Sequence, residues 1–457
     1  MTDPRDPIEA WLSSDVELLS PPPGAYQRVR RRARRRKAVR TMSAAAGAAV
    51  IVVAAAVLPQ VAGNLLPGPG GPDRAGGATS AHRQASQRAT KPAPRPSPTS
   101  RTLTNGGQPI TGAGSGPPAP GFRPTSVTFV GPHTGAVIGQ AGSSCSSSPC
   151  TAVAGTHDYG STWAAIGAPP AGPPHGSAGV SQIRFLGLRN GWAYGPALYA
   201  THDGGHRWTA ITGLPGRVID LATVGRRAFA VVGAGCSGTN YWENCIRFSL
   251  FSTVASSDSW RPVGGASTTS QVVPGGLQLT SKYGYLVTNG LLYAGPVSGG
   301  AWHPVSTSSP TAPPCLTSLS GPGPWLIAPG DSRLYLLCSV SRPNASPSTA
   351  LSLYASADQG RSWQAQGPVS VTGTATSLAL SPAGKLVLAT TAGLYYSPDG
   401  HTWRAAALDV PAPGGGGFGF VGMTTSSNGV AVPSAPGSRE LYITADGGQN
   451  WRHAPIR

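Results

Sequence analysis

Two textures alternate along the chain. From about residue 122 onward, short apolar and β-branched runs recur, each cut off after a few residues by Gly, Pro, Ser or Asp. SQIRFLGLRNGWAYG (Ser181–Gly195) and SLALSPAGKLVLATTAGLYYS (Ser377–Ser397) are examples. Short runs at regular spacing with turn residues between them predict an all-β fold. The first 120 residues follow other patterns. Thr41–Leu66 is apolar and free of charge, long enough to cross a bilayer as a helix. Residues 67–120 show no apolar periodicity and have little to bury, which predicts a disordered or semi-extended linker.

Within the β-type region five runs end in one signature, Ser/Thr-x-Asp-x-Gly-x-x-Trp. The copies are THDYGSTW (Thr156–Trp163), THDGGHRW (Thr201–Trp208), SADQGRSW (Ser356–Trp363), SPDGHTW (Ser397–Trp403, one residue short) and TADGGQNW (Thr444–Trp451). The Ser/Thr and Asp side chains can bond turn backbone groups, and Gly supplies positive φ. The Trp opens the next strand and can bury its indole under the hairpin. Two degenerate copies fill the gap: VASSDSWRPV keeps Trp260 and GPVSGGAWHPV keeps Trp302. From Trp163 to Trp451 there are 288 residues in six intervals, a mean of 48. That is the length of one four-stranded propeller blade. Seven units predict a seven-bladed β-propeller over residues 121–457.

These motifs resemble the Asp-box (BNR) repeat superfamily, which includes sialidases, sortilin-type receptors, oligoxyloglucan-active hydrolases and photosystem II stability/assembly factors. The resemblance covers residues 122–457 and implies a propeller whose box hairpins join the third and fourth strands of each blade, opposite the face used for active sites. It therefore implies structural roles for Asp158, Asp203, Asp358, Asp399 and Asp446, and for Trp163, Trp208, Trp363, Trp403 and Trp451. One propeller scaffold serves enzymes and binding proteins alike, so function has to come from a site.

Charge changes the picture only at the N-terminus. Residues 1–40 hold ten Lys/Arg against five Asp/Glu, residues 67–120 six against one, and residues 121–457 eighteen against eleven. The net +17 is thus spread thinly, which argues against a nucleic-acid platform. Nine Lys/Arg between Arg28 and Arg40 abut the apolar run. Basic residues mark the cytoplasmic flank of a membrane span. The expected organisation is a short basic cytoplasmic segment (1–40), a transmembrane helix (41–66), the linker (67–120) and an extracytoplasmic propeller. Cleavage near Ala62 is the competing reading.

All six cysteines lie beyond residue 140, on the outer side of that span, as an oxidising compartment would produce. No C-x-x-C pair suggests zinc or a dithiol centre. The expected disulfides are Cys145–Cys150, Cys236–Cys245 and Cys315–Cys338. In a four-stranded blade the second-to-third-strand loops and the blade-to-blade connections share one face, and all six cysteines map to it. Stapled loops on a rigid scaffold are where recognition is often placed. Between Cys236 and Cys245 stands SGTNYWEN; Tyr241, Trp242 and Glu243 are the candidate ligand-binding residues, with the two aromatics expected to be exposed.

Little in the chain points to catalysis. A sialidase needs an arginine cluster, a Tyr–Glu pair and an acid/base Asp, and the text closest to its Phe/Tyr-Arg-Ile-Pro signature, Phe122-Arg123-Pro124, lacks the Ile. Outside the boxes the carboxyl pool is Asp220, Glu243, Asp331, Asp409 and Glu440, from which a glycosidase would need a positioned pair. His202 and His206 sit in a box hairpin, where turn residues face outward, and no metal or cofactor is expected. Asn344-Ala345-Ser346 fits a glycosylation sequon. The sequence therefore favours a membrane-anchored extracytoplasmic binding or scaffolding module with a protein or glycan ligand, the alternative being an exo-acting, sialidase-like glycoside hydrolase.

Overall fold

Each recurring unit becomes one antiparallel sheet. The computed structural model describes residues 116–456, apart from 143–149, 175–176, 307–311, 318–322, 341–349 and 436. The expected cytoplasmic segment, the transmembrane helix at 41–66, most of the linker, Cys145 and the sequon at 344–346 lie outside the described residues. Among the described residues no helix is long and apolar enough to cross a membrane. The segment just before the first strand already joins the ring, since the Ala165 amide donates to the Gly116 carbonyl at 3.0 Å.

Seven sheets follow in chain order, each built from four consecutive strands. Blade 1 runs from Arg123 to Ile166, blade 2 from Gln182 to Ala210 and blade 3 from Arg217 to Thr268. Blades 4 to 7 span Leu277–Pro304, Trp325–Val369, Ala375–Ala405 and Phe418–Pro455. Blade 7 gains a fifth strand, Ala407–Leu408, parallel to its outer strand Asn450–Pro455. The all-β, seven-bladed expectation is met.

The core is divided into seven wedges, one between each pair of neighbouring blades. Among the described residues, the buried members of these clusters run from Phe122 to Ile456. Strands buried on both faces read as near-continuous apolar runs. Leu386–Thr390 (LVLAT) and Gly429–Pro433 (GVAVP) are buried at every position. Among the described residues no strand is exchanged between the ends at ring closure. Phe122, Val127 and Trp163 of the first blade pack on Val430, Leu441 and Ile443 of the last. Tyr159, held at φ +62°, adds a clasp by donating its hydroxyl toward the carbonyls of Gly429 (2.8 Å) and Thr444 (2.9 Å).

The degenerate fourth box shows what the motif is for. Trp302 is fully buried although its hairpin has lost the Asp. Its indole lies across Gly284 and Gly295, a cross-strand pair. A β-carbon on either glycine would stand 2.1 Å from the ring. The space made by two missing side chains is filled by one large one, and that packing has outlasted the hydrogen bonds.

Candidate functional site

The Asp boxes assemble through their own backbone. In the first, the Thr156 hydroxyl donates to Asp158 Oδ1 (2.9 Å) and accepts from the Gly160 amide (2.9 Å). The Asp158 carboxylate then accepts the Thr162 amide (2.9 Å) and hydroxyl (2.6 Å). Asp203, Asp358, Asp399 and Asp446 repeat this pattern with their local Ser/Thr and amides. Burial works to raise the pKa of Asp158, Asp358 and Asp446, but these hydrogen bonds outweigh it and hold all three below the usual aspartate value. In Asp399 the amides of Thr402 and His401 lead, in the same direction. Every box carboxylate is thus consumed by its turn. Trp163, Trp363 and Trp451 are buried, and the last two donate their indole N–H to Gly360 and Gly448 carbonyls. Trp208 and Trp403 are only half-buried, because the strands that follow them are two residues long and cover less.

The opposite face carries the irregular loops. Cys236 and Cys245 are bonded, with Cα atoms 3.8 Å apart, and Cys315 and Cys338 are bonded across 5.5 Å. Cys150 is disulfide-bonded as well; its expected partner is outside the described residues. Element order places Cys150, Cys236 and Cys245 in second-to-third-strand loops and Cys315 in the connection entering blade 5, all at one end of the ring. The Gln271 side chain donates to the Trp242 carbonyl (2.7 Å). The Asn289 amide donates to the Gln271 carbonyl, and that of Gly290 to the Cys315 carbonyl (both 3.0 Å). The stapled loops of blades 3 to 5 therefore form one connected layer.

The expected exposure of the aromatics in that layer is corrected. Tyr241 is only 6% exposed and belongs to the core between blades 3 and 4. Trp242 is half-buried, edge-on to it at 4.7 Å. A staple nine residues long keeps the loop down against the sheet, and two large rings at its tip gain more by joining the apolar core between blades 3 and 4 than by facing water. Burial also drives the Tyr241 hydroxyl pKa well above the usual value. Glu243 accepts from the Asn240 amide (3.2 Å) and side chain (2.6 Å) and so closes its own turn. The side chain that projects is the neighbouring Ile246, 72% exposed.

Sequence reading did not name the residues that line the central channel. It encloses a cavity of about 1100 Å³ lined by the inner strands. Arg123, Arg184 and Arg333 reach it, with Gln140, Gln182 and Gln278. Along Gln182–Leu186 burial alternates, which turns Ile183 and Phe185 into the blade interface and leaves Arg184 half-exposed. Its guanidinium stands 5.9 Å from the Phe420 ring centroid, a cation–π distance. Among the lining residues the one carboxyl is Asp220. It is buried and accepts the amides of Leu221 (2.9 Å), Gly275 (2.9 Å) and Leu277 (3.0 Å). Burial raises its pKa, and those amides with the Arg184 charge pull the other way. Asp220 thus ties blade 3 to blade 4. Tyr194 beside it is pushed up to about 12, first by burial.

The other candidate acids lie elsewhere. Asp331 caps the turn at Thr280–Lys282, and Glu440 pairs with His453 at 3.3 Å. Asp409 accepts the His453 amide at 2.8 Å. His202 bridges Asn190 (2.9 Å) and Asp258 (3.2 Å), while His206 is exposed. Among the described residues no three His, Cys, Asp or Glu side chains converge as metal ligands.

No protein-family model and no curated protein matches the sequence. Among solved structures, the fold is similar to YCF48 bound to D1 peptide (18% identity, TM-score 0.44, covering 72% of this chain and 92% of that one). It is also similar to an ancestral GH74 enzyme (14%, 0.47, 77% and 47%). A third is PorZ, a surface component of the type-IX secretion system of Porphyromonas gingivalis (13%, 0.43, 73% and 38%). The seven blades and the five hydrogen-bonded box hairpins on its own chain make this protein a β-propeller of the Asp-box-like kind.

Proposed function

We propose that the propeller is a non-enzymatic binding or scaffolding module, held outside the cytoplasm by the uncharged segment at 41–66, and that it takes a protein or glycan ligand at the cysteine-bearing mouth of the channel. The observation that carries the reading is the channel's charge inventory. Among the described residues three arginines and three glutamines line it, and the one carboxyl there is spent on three backbone amides. Glycoside hydrolysis needs two carboxyl groups set either side of one bond. Guanidinium and carboxamide groups suit a ligand bearing carboxylates or many hydroxyls. Ile246 and the half-buried Trp242, in the stapled loop on the same face, add apolar contact for a protein ligand.

The test compares two assays on the full chain. Calorimetric titration with oligogalacturonate, and with peptides ending in a free or an amidated carboxylate, should detect binding that Arg184→Gln weakens at least tenfold. Fluorogenic glycosides should remain uncleaved. Turnover that disappears in Glu243→Gln would establish the hydrolase instead. N-terminal sequencing of mature protein checks the anchor: a start near Gly63 would remove it.

A further inference from the structure

The face that carries the Asp boxes has chemistry that neither the boxes nor the channel uses. At the box end of blades 2 and 3, Arg189, Arg207 and Arg226 are exposed and Arg227 half-exposed. Among the described residues the close contacts of acids with basic side chains at this end are His202–Asp258 at 3.2 Å and Lys282–Asp331 at 3.5 Å, and neither uses any of the four arginines. Two apolar side chains stand among them, Leu188 and Val254, each 42% exposed.

These residues form one continuous patch. The Leu188–Arg189 turn abuts the second box, since the Gly204 amide donates to the Arg189 carbonyl at 2.9 Å. His202 of that box reaches Asp258 in the next at 3.2 Å. Val254 pairs with Arg227 across the sheet, and the Ala255 amide donates to the Arg226 carbonyl at 2.8 Å. The box aspartates beside them, such as Asp203, are turned into their own hairpins and do not reach out to neutralise the arginines.

We infer that this patch is a docking surface for an anionic phospholipid bilayer. Guanidinium groups bind lipid phosphates in bidentate fashion, and basic residues near an anionic leaflet are attracted within about a Debye length. Leucine and valine interleaved with arginine fit the zone just beneath the headgroups. A soluble polyanion would engage the arginines and leave the two apolar side chains in water, so the mixed patch favours lipid. The surface lies at the end of the ring away from the disulfide-stapled loops, so docking there would leave the channel mouth and Ile246 free. The inference concerns a different face from the proposed ligand site and does not depend on it.

Hydrogen exchange of the full chain tests this, mixed with vesicles of phosphatidylglycerol and phosphatidylcholine or of phosphatidylcholine alone. The strand ends around Leu186–Asn190 and Val224–Arg227 should gain protection only on the anionic vesicles, and lose it as salt rises. Joint replacement of Arg189, Arg226 and Arg227 by Gln should weaken the dependence on anionic lipid about a hundredfold. Arg247→Gln with Arg439→Gln, on the opposite face, should change nothing. Leu188→Ser with Val254→Ser should reduce protection on vesicles. Equal protection on both lipids, or protection kept by the triple variant, would overturn the proposal. So would protection by soluble polygalacturonate with none by vesicles. Because the readout is local, an anchor at 41–66 cannot mimic it.

Discussion

The two faces of this ring are built by different rules. On one, five hairpins repeat the same hydrogen-bonded turn, each completed within eight residues or fewer of its own sequence. On the other, loops of unequal length are held by disulfides and by bonds that pass from blade to blade through Gln271, Asn289 and Cys315. The box face is assembled from local interactions that the chain can make before the ring exists. The loop face acquires its shape only when neighbouring blades are in place. The difference teaches that regularity and function need not coincide: the repeated signature marks scaffold, and the channel's arginines and glutamines lie outside it.

The largest test of that contrast concerns the degenerate fourth box. If packing rather than hydrogen bonding is its contribution, Trp302→Ala should lower stability by about 3–5 kcal/mol, and the loss should appear in chemical denaturation of the whole ring. A variant with near wild-type stability would show that the Gly284–Gly295 cleft collapses at no cost.

On the loop face, replacing Cys236 and Cys245 together by Ser should lower stability by about 2–3 kcal/mol, as a short closed loop implies. The propeller should stay folded by circular dichroism, because Tyr241 and Trp242 still have their core contacts. Global unfolding would mean that the staple holds the blades rather than one loop.

Within the box face, Asp358 and Asp258 separate a working box from a degenerate one. Asp358→Ala should cost about 1–3 kcal/mol by orphaning the Ser362 and Ser356 groups it satisfies. Asp258→Ala, whose side-chain partner is His202, should stay within about 0.5 kcal/mol. Equal losses, read from urea midpoints, would end the distinction.

The smallest effect is a pH dependence to which the box face is the main contributor. Asp158, Asp358, Asp399 and Asp446 have folded pKa values below the ordinary 3.8. A depressed carboxylate contributes stability that is present above its unfolded value and lost as pH falls through its folded one. The melting temperature should therefore drop on acidification below about pH 4, and Asp358→Asn should flatten part of that fall. Asp220, raised by burial, works oppositely: its contribution is present at low pH and lost as pH rises through its folded value. A melting temperature that rose below pH 4 would make Asp220, not the boxes, the dominant acid.

How much could be read from residues alone follows the same division. The blade count was legible because a turn such as Thr156–Trp163 uses groups spaced two to seven positions apart, and local spacing is what a sequence displays. The pairs Cys236–Cys245 and Cys315–Cys338 were legible for the same reason, each joining neighbours along the chain. The packing of Tyr241 was not. Tyr241 belongs to one core cluster with Ile219, Val272 and Trp302, brought together from separate stretches of chain, and a tyrosine in a polar loop carries no mark of them.

The channel was hidden most completely. Arg123, Arg184 and Arg333 come from blades 1, 2 and 5, and Asp220 takes up amides more than fifty residues away. By itself, the sequence determined that seven antiparallel sheets would form and which carboxylates would close their turns, because each of those interactions is satisfied within one hairpin. Only the closing of the ring decided which arginines share a cavity, which acids are already occupied and which aromatics lose contact with water. Those outcomes depend on where the blades' inner strands and loops meet, and that meeting exists only in three dimensions.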